Sequence, residues 1–357
     1  MSNINHISLP TESIQALAAK TVTLGFDGFI DAIVRVVRNK TKSETTFFQT
    51  IREFGEYTVD RSAGNFALEL QEILKKPGGN MPIMALALSD WVGRVNCIGA
   101  LGYPEINPLF SGFPNNCNLF SFAEPGITTA LEFNDGKIIM GEMSQLNAGS
   151  WQTIKDIVGL DLLTDAFRGS DLIAMVNWSE LDHTSEIWLG LQNEVLPRLA
   201  YSSKPLVFFD LADCSKKSAD EIHEALELIS KFSQWFRVTL GLNKNEATQI
   251  YKAITNNSPV PEDVKAIGDH IFRFLTIETL VVHFHTTALG WSREGVYEKE
   301  TTRIASPVLA TGAGDNFNAG YCLGLLSEMS PDACLELGHA FARHYMKNGK
   351  SLSKRST

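Results

Sequence analysis

Between residues 171 and 284, apolar runs of strand length alternate with segments of helical periodicity, and this constrains the fold more than any other feature of the chain. DLIAMV (171–176) precedes Ile187, Trp188, Leu191, Val195 and Leu199, which recur at helical spacing. PLVFFD (205–210) is followed by Ile222, Ala225, Leu226, Ile229 and Phe236, then by the run FRVTLGL (236–242). Val264, Ile267, Ile271 and Leu275 lead into TLVVHF (279–284). Short apolar runs separated by amphipathic helices are βαβ units, whose strands pair in parallel and are covered by helices on both faces. The expectation is an α/β protein in three layers with a mainly parallel central sheet. Ligands of such sheets bind at the carboxyl ends of the strands.

The first half of the chain is less regular. TVTLGF (21–26) and RVNCIG (94–99) read as strands, while Ala67, Leu70, Ile73 and Leu74 suggest a helix, as does the run 82–88. TTALEF (128–133), Asn134-Asp135-Gly136 and KIIM (137–140) read as a β-hairpin, because Asp-Gly suits a tight turn. IVRVV (33–37) alternates in the same way. A hairpin inside a parallel α/β chain lies off the main sheet, so segments of about 32–50 and 127–142 are expected to form a small β lid over the strand ends.

Composition narrows the function classes. At 357 residues the chain can bury a full core as one α/β unit, and 1–357 is read as a single domain. Its net charge of −10 disfavours nucleic acid, and the basic tail of Lys347, Lys350, Lys354 and Arg355 reads as a solvated end. No apolar run approaches the ~20 residues of a membrane-spanning helix. The first twenty residues lack a basic start followed by an apolar block, so neither membrane nor secretion is signalled. The cysteines at 97, 117, 214, 322 and 334 are odd in number and form no C-x-x-C pair. That speaks for reduced thiols in the cytoplasm, without zinc or a disulfide framework.

Four segments carry chemistry. Thr311-Gly312-Ala313-Gly314-Asp315 precedes a helical pattern with Phe317, Tyr321, Cys322 and Leu325. Small residues opening a helix direct unpaired N–H groups and the positive end of the dipole at an anion. A carboxylate there repels phosphate unless it takes a proton from a nucleophile attacking that phosphate; equally, Asp315 could serve the helix dipole alone. In Pro77-Gly78-Gly79-Asn80 the amide either caps the following helix or meets a polyhydroxylated ligand. Asp27 and Asp31, beside glycines at the end of the first strand, suit hydrogen bonds to hydroxyls or a plain turn. Asn243 and Glu246 have the spacing of a capping box, compatible with a phosphate or Mg²⁺-water role.

Together and in this order, the segments resemble the ribokinase-type (PfkB) carbohydrate kinase family over about residues 20–350. Gly312-Ala313-Gly314-Asp315 is the most specific part. It is supported by Gly78-Gly79-Asn80, by Gly99-Ala100-Leu101-Gly102 after a strand, by Asp210 at a strand end and by Asn243-x-x-Glu246. The resemblance implies a ribokinase-like fold and transfer of the γ-phosphoryl group of ATP, with Mg²⁺, to a sugar hydroxyl. Asp315 is then the general base and Gly312, Ala313 and Gly314 the anion hole. Asp27, Asp31, Gly78, Gly79 and Asn80 hold the sugar. Asn243, Glu246, Thr286, Thr287 and His339 serve the nucleotide, with no protein-only metal site. A homodimer through the lid is an expectation of the same kind.

The chain departs from the family pattern at three places. Leu309 and Ala310 stand where Asp and Thr are usual. His283-Phe284-His285-Thr286-Thr287-Ala288 replaces T-x-G-x-x-G, and Tyr103-Pro104-Glu105 follows Gly102 where acidic residues are common. The His283/His285 pair has no third metal ligand in reach and reads as packing or nucleotide loop. A nucleoside kinase of the same fold, and a non-catalytic sugar- or nucleotide-binding protein, are the competing readings.

Overall fold

A computed structural model describes residues 11–354; Arg355 of the basic tail and half of the N-terminal stretch lie outside the described residues. In chain order the strands are β1 (Thr21–Phe26), β2 (Phe29–Lys40), β3 (Thr45–Phe47), β4 (Leu70–Gly78), β5 (Arg94–Gly99), β6 (Cys117–Ser121) and β7 (Gly126–Phe133). They continue as β8 (Gly136–Glu142), β9 (Leu172–Met175), β10 (Leu206–Asp210), β11 (Arg237–Asn243), β12 (Thr279–Phe284), β13 (Thr287–Ser292) and β14 (Gly295–Glu300).

The large sheet has the order β14-β13-β12-β11-β10-β9-β1-β5-β6. It is parallel from β12 to β6 and finishes in two antiparallel hairpins at the β12 edge. Successive side chains of a strand face opposite sides. Val207 and Phe209 of β10 therefore enter one core with Ile229 and Leu240, while Leu206 and Phe208 enter the other with Ala174 and Tyr321. Both faces are covered by helices, which is why the sequence shows continuous apolar runs here rather than alternation.

The small sheet is built on β2. β4 pairs antiparallel along one side of it and β7 parallel along the other, with β8 antiparallel outside β7. β3 covers the far end of β2. Its own core is Val34, Val36, Phe48, Leu131 and Phe133. The expected lid segments thus share one sheet, but the helix expected around residues 67–74 is strand β4. Leu70, Ile73 and Leu74 are 47–52% exposed, so their helical spacing reflects no buried face. Pro77 also disfavours a helical residue before it, and the backbone pairs with β2 instead.

Only Asp27 and Gly28 separate β1 from β2, and only Gly79 separates β4 from the helix Asn80–Ser89. Both connections leave the main body side by side. A Cβ on Gly28 would stand 2.0 Å from the Ala100 carbonyl oxygen, so no larger residue fits. Among the described residues no helix is long and apolar enough to cross a membrane.

Candidate active site

The helix Ala313–Leu326 starts at Gly312, whose φ of +94° is left-handed. A Cβ there would lie 2.9 Å from the Tyr345 hydroxyl, which donates to the Thr311 carbonyl. This close approach explains the glycine. Sequence reasoning assigned all three small residues to an anion hole, but the Ala313 N–H donates back to the Ala310 carbonyl at 3.1 Å. The open first-turn donor is the Gly314 N–H, which finds no backbone acceptor, while the N–H of Asp315 faces its own carboxylate.

Asp315 is partly exposed in the first turn of this helix. Burial, followed by the negative charges of Asp210, Asp27 and Glu246, raises its pKa well above the usual carboxylate range. Asp210 ends β10 and accepts from Asn318 Nδ2 at 2.5 Å and from the Ala212 N–H at 2.8 Å. Asn243 and Glu246 form the expected reciprocal cap: Glu246 Oε2 accepts the Asn243 N–H at 2.8 Å, and Asn243 Oδ1 accepts the Glu246 N–H at 3.0 Å. Burial and then Asp210 push the Glu246 pKa well up. The negative charges of Asp210, Asp27 and Glu246 thus all act on Asp315. No group of three or more His, Cys, Asp or Glu forms a metal cage among the described residues.

On the small sheet, Asp31 of β2 receives the hydroxyl of Thr128 and lies directly over Gly78. A Cβ at Gly78 would sit 2.3 Å from the Asp31 carboxyl carbon. Asp27, expected beside Asp31 in the sugar site, is engaged by the main body. Fully buried, it takes the Asn80 N–H (2.7 Å) and Asn177 Nδ2 (2.8 Å) on Oδ2 and the Met81 N–H (2.7 Å) on Oδ1. Asp27 is therefore the cap of the helix Asn80–Ser89, a role the sequence suggested for Asn80, which is instead its first residue. Gly79, at φ +91°, would place a Cβ 2.6 Å from the Asp27 carboxylate.

Of the residues expected to serve the nucleotide, Thr287 begins β13 and Thr286 lies in the turn before it, its carbonyl accepting the Thr301 N–H. His283, next to last in β12, has its ring stacked on Phe317, centroids 4.5 Å apart, and lies beside Gly314. Burial first and the nearby His339 second lower its pKa to about 4, so the ring is neutral. His285 is exposed in the turn, off the strand, so the two do not form a pair of metal ligands. His339 stands behind Phe317, edge-on at 5.3 Å, with Nε2 on the Lys299 carbonyl. Its ring is thus tied to β14, which argues against a free adenine contact at Nε2. The residues that sequence reading missed are Lys76, Thr128, Asn177, Asn318 and Tyr345. Each acts through a partner more than 30 residues away, which no local motif reveals.

A family model described as prokaryotic ketohexokinase matches residues 5–356. The ketohexokinase of Haloferax volcanii is 28% identical over 332 residues, 92% of this chain and 87% of its own length. A probable sugar kinase from Rhizobium etli superposes with a TM-score of 0.66 at 15% identity, covering 95% of this chain and 97% of its own. Arabidopsis thaliana ribokinase complexed with ribose and ATP gives a TM-score of 0.66 at 14% identity with the same coverage. Motif order, fold and family match agree: the chain is a carbohydrate kinase of the ribokinase type, an ATP-dependent phosphotransferase, and it belongs to the prokaryotic ketohexokinase family.

Proposed function

We propose that this chain transfers the γ-phosphoryl group of ATP to a hydroxyl of a ketohexose, with Asp315 as general base. The carrying observation is the position of Asp315: a carboxylate of raised proton affinity at the mouth of a helix, beside the open Gly314 N–H. A base that holds its proton more tightly than an ordinary carboxylate is better matched to deprotonating a hydroxyl near neutral pH. The donors at the helix start stabilise negative charge on the transferred oxygens. Gly312 shapes that turn, while Ala313 contributes a small side chain rather than a donor.

Asp31 binds the sugar, and Gly78 leaves room for its carboxylate. Gly79 and Asn80 position this edge through Asp27. Asn243, Glu246, Thr286 and Thr287 line the nucleotide end, with His339 packed behind them. Mg²⁺ keeps several waters and is held through phosphates plus one or two carboxylates. Glu246 and Asp210 offer that donor chemistry, and the ion would neutralise phosphate charge there.

Residues 1–357 work as one kinase unit with the small sheet as its lid, which excludes water as a competing acceptor. The exposed Leu74 and Ile139, which strand pairing sets on one face of the lid, offer an apolar surface suited to a homodimer. The five cysteines are unpaired, in keeping with the cytoplasm. The deciding experiment presents ATP and Mg²⁺ with ketohexoses, aldohexoses, pentoses and nucleosides, and scores ADP release. Preference for a ketohexose is expected. Preference for a nucleoside would replace the acceptor assignment, and nucleotide binding without any turnover would leave a binding protein.

A further inference from the structure

Three residues stand directly opposite one another across the lid: Lys76 on β4, Asp31 on β2 and Thr128 on β7. Residues paired in this way project to the same face of a sheet. Lys76 therefore shares the face on which the Asp31 carboxylate lies over Gly78 and accepts from Thr128. Its side chain is half-buried. Among the described residues it makes no ion pair within 4 Å, whereas the neighbouring Lys137 is paired with Glu132 at 3.3 Å. Burial lowers the pKa of Lys76. The field of Asp31 acts against that, Lys137 adds to it, and Asp315 again opposes it. The ammonium thus feels both the carboxylate of the lid and that of the main body.

The charges that act most on Asp315 are themselves negative: Asp210, Asp27 and Glu246. A phosphoryl group in transit spreads further negative charge over its equatorial oxygens. A cation on the face of the lid that carries Asp31, with a field that reaches Asp315, supplies the charge these carboxylates lack.

We propose that Lys76 is a catalytic residue, its ammonium contacting the oxygens of the phosphoryl group as that group passes from nucleotide to sugar. The inference rests on the kinase reading above. As the bond between the sugar oxygen and γ-phosphorus forms, the bond from γ-phosphorus to the β,γ-bridging oxygen breaks and its electron pair leaves with ADP. The hydroxyl proton goes to Asp315. Lys76 keeps its own proton and acts by charge alone.

The test compares wild type, Lys76→Met and Lys76→Arg on the best acceptor found, measuring kcat, KM for both substrates, sugar affinity without nucleotide, and melting temperature. Lys76→Met is expected to lose roughly 10²–10³-fold in kcat, the usual effect of removing one transition-state contact. Its sugar affinity should stay within about threefold, a difference well below the ~1.4 kcal/mol of a tenfold change. Lys76→Arg should recover at least about a tenfold part of the loss, because it restores the charge. A kcat near wild type in Lys76→Met overturns the proposal, as does a loss confined to sugar affinity, since Lys76 would then serve only Asp31. Should the Met variant fail to melt cooperatively, Lys76→Gln is read by the same criteria. A wild-type protein that phosphorylates no acceptor would refute the kinase reading itself, whereas an active wild type with an equally active Lys76→Met refutes only the role of Lys76.

Discussion

Asn318 donates to Asp210 at 2.5 Å from one helical turn below Asp315, so the contact that fixes the helix start also fixes the carboxylate nearest the proposed base in charge. Asp210 raises the pKa of Asp315 second only to burial. Asp210→Asn removes that charge while its amide can still bond to the Asn318 side chain, whose Oδ1 has no partner in the wild type. The base then ionises more readily, and the acid limb of kcat/KM moves to lower pH. A pH–rate profile of the variant checks this, and an unmoved limb would detach Asp210 from the base.

Asp315→Asn should cut kcat by roughly 10²–10⁴-fold, the span of general base catalysis, with sugar affinity retained. Because only the ionised carboxylate accepts a proton, the wild-type rate rises with pH through a pKa above the ordinary carboxylate range, and the variant lacks that limb. Steady-state kinetics together with calorimetry separate the two effects; turnover within a few-fold of wild type refutes the role.

Asp31→Ala should weaken sugar binding by about 1.5–3 kcal/mol, the value of a hydrogen bond to a charged group, and leave nucleotide binding alone. Gly78→Ala provides an independent check, because the new Cβ would fall 2.3 Å from the Asp31 carboxyl and swing it away. Both variants should resemble each other in titrations with sugar. Equal affinity in all three proteins would refute the sugar-binding role of Asp31.

Asp27→Ala leaves the Asn80 and Met81 N–H groups and Asn177 without their acceptor. Loss of a cap plus buried unsatisfied donors should cost about 2–4 kcal/mol in urea unfolding. The pKa of Asp27 is raised from 3.8 to about 6, mainly by burial, so the folded protein binds this proton more tightly than the unfolded chain. Its contribution to stability is therefore full below pH 3.8, declines as pH rises towards about 6, and is constant above. Unfolding of Asp27→Asn over this range should lack that decline.

Leu309 offers no side-chain oxygen to a monovalent cation, and hard cations need oxygen ligands. Rates in potassium, sodium and tetramethylammonium buffers of matched ionic strength should differ little. A saturable rise in potassium alone would show that backbone carbonyls suffice.

The large sheet was legible because buried parallel strands write their burial into unbroken apolar runs, as in 172–175 and 206–210. The Gly-x-Gly-Asp turn and the reciprocal cap of Asn243 and Glu246 were legible because each is a local device with a fixed spacing. β4 was misread because its apolar residues face outward and follow no burial period. The capping role of Asp27 was not legible for a related reason: its partners Asn80, Met81 and Asn177 come from distant segments that only the folded sheet brings together.

The connection through Asp27 and Gly28 has a metric consequence. Asp27 is held by three hydrogen bonds and Gly28 is pressed against Ala100, so β2 leaves the body from a fixed origin, and Asp31 stands a set number of residues beyond it. Each residue of strand advances about 3.3 Å and turns the next side chain to the other face. One residue more or fewer would carry Asp31 farther than the spacing of neighbouring carbons in a sugar and point it from the opposite face. The connection is a ruler: its length sets how far from the main body, and on which face of the lid, the Asp31 carboxylate stands.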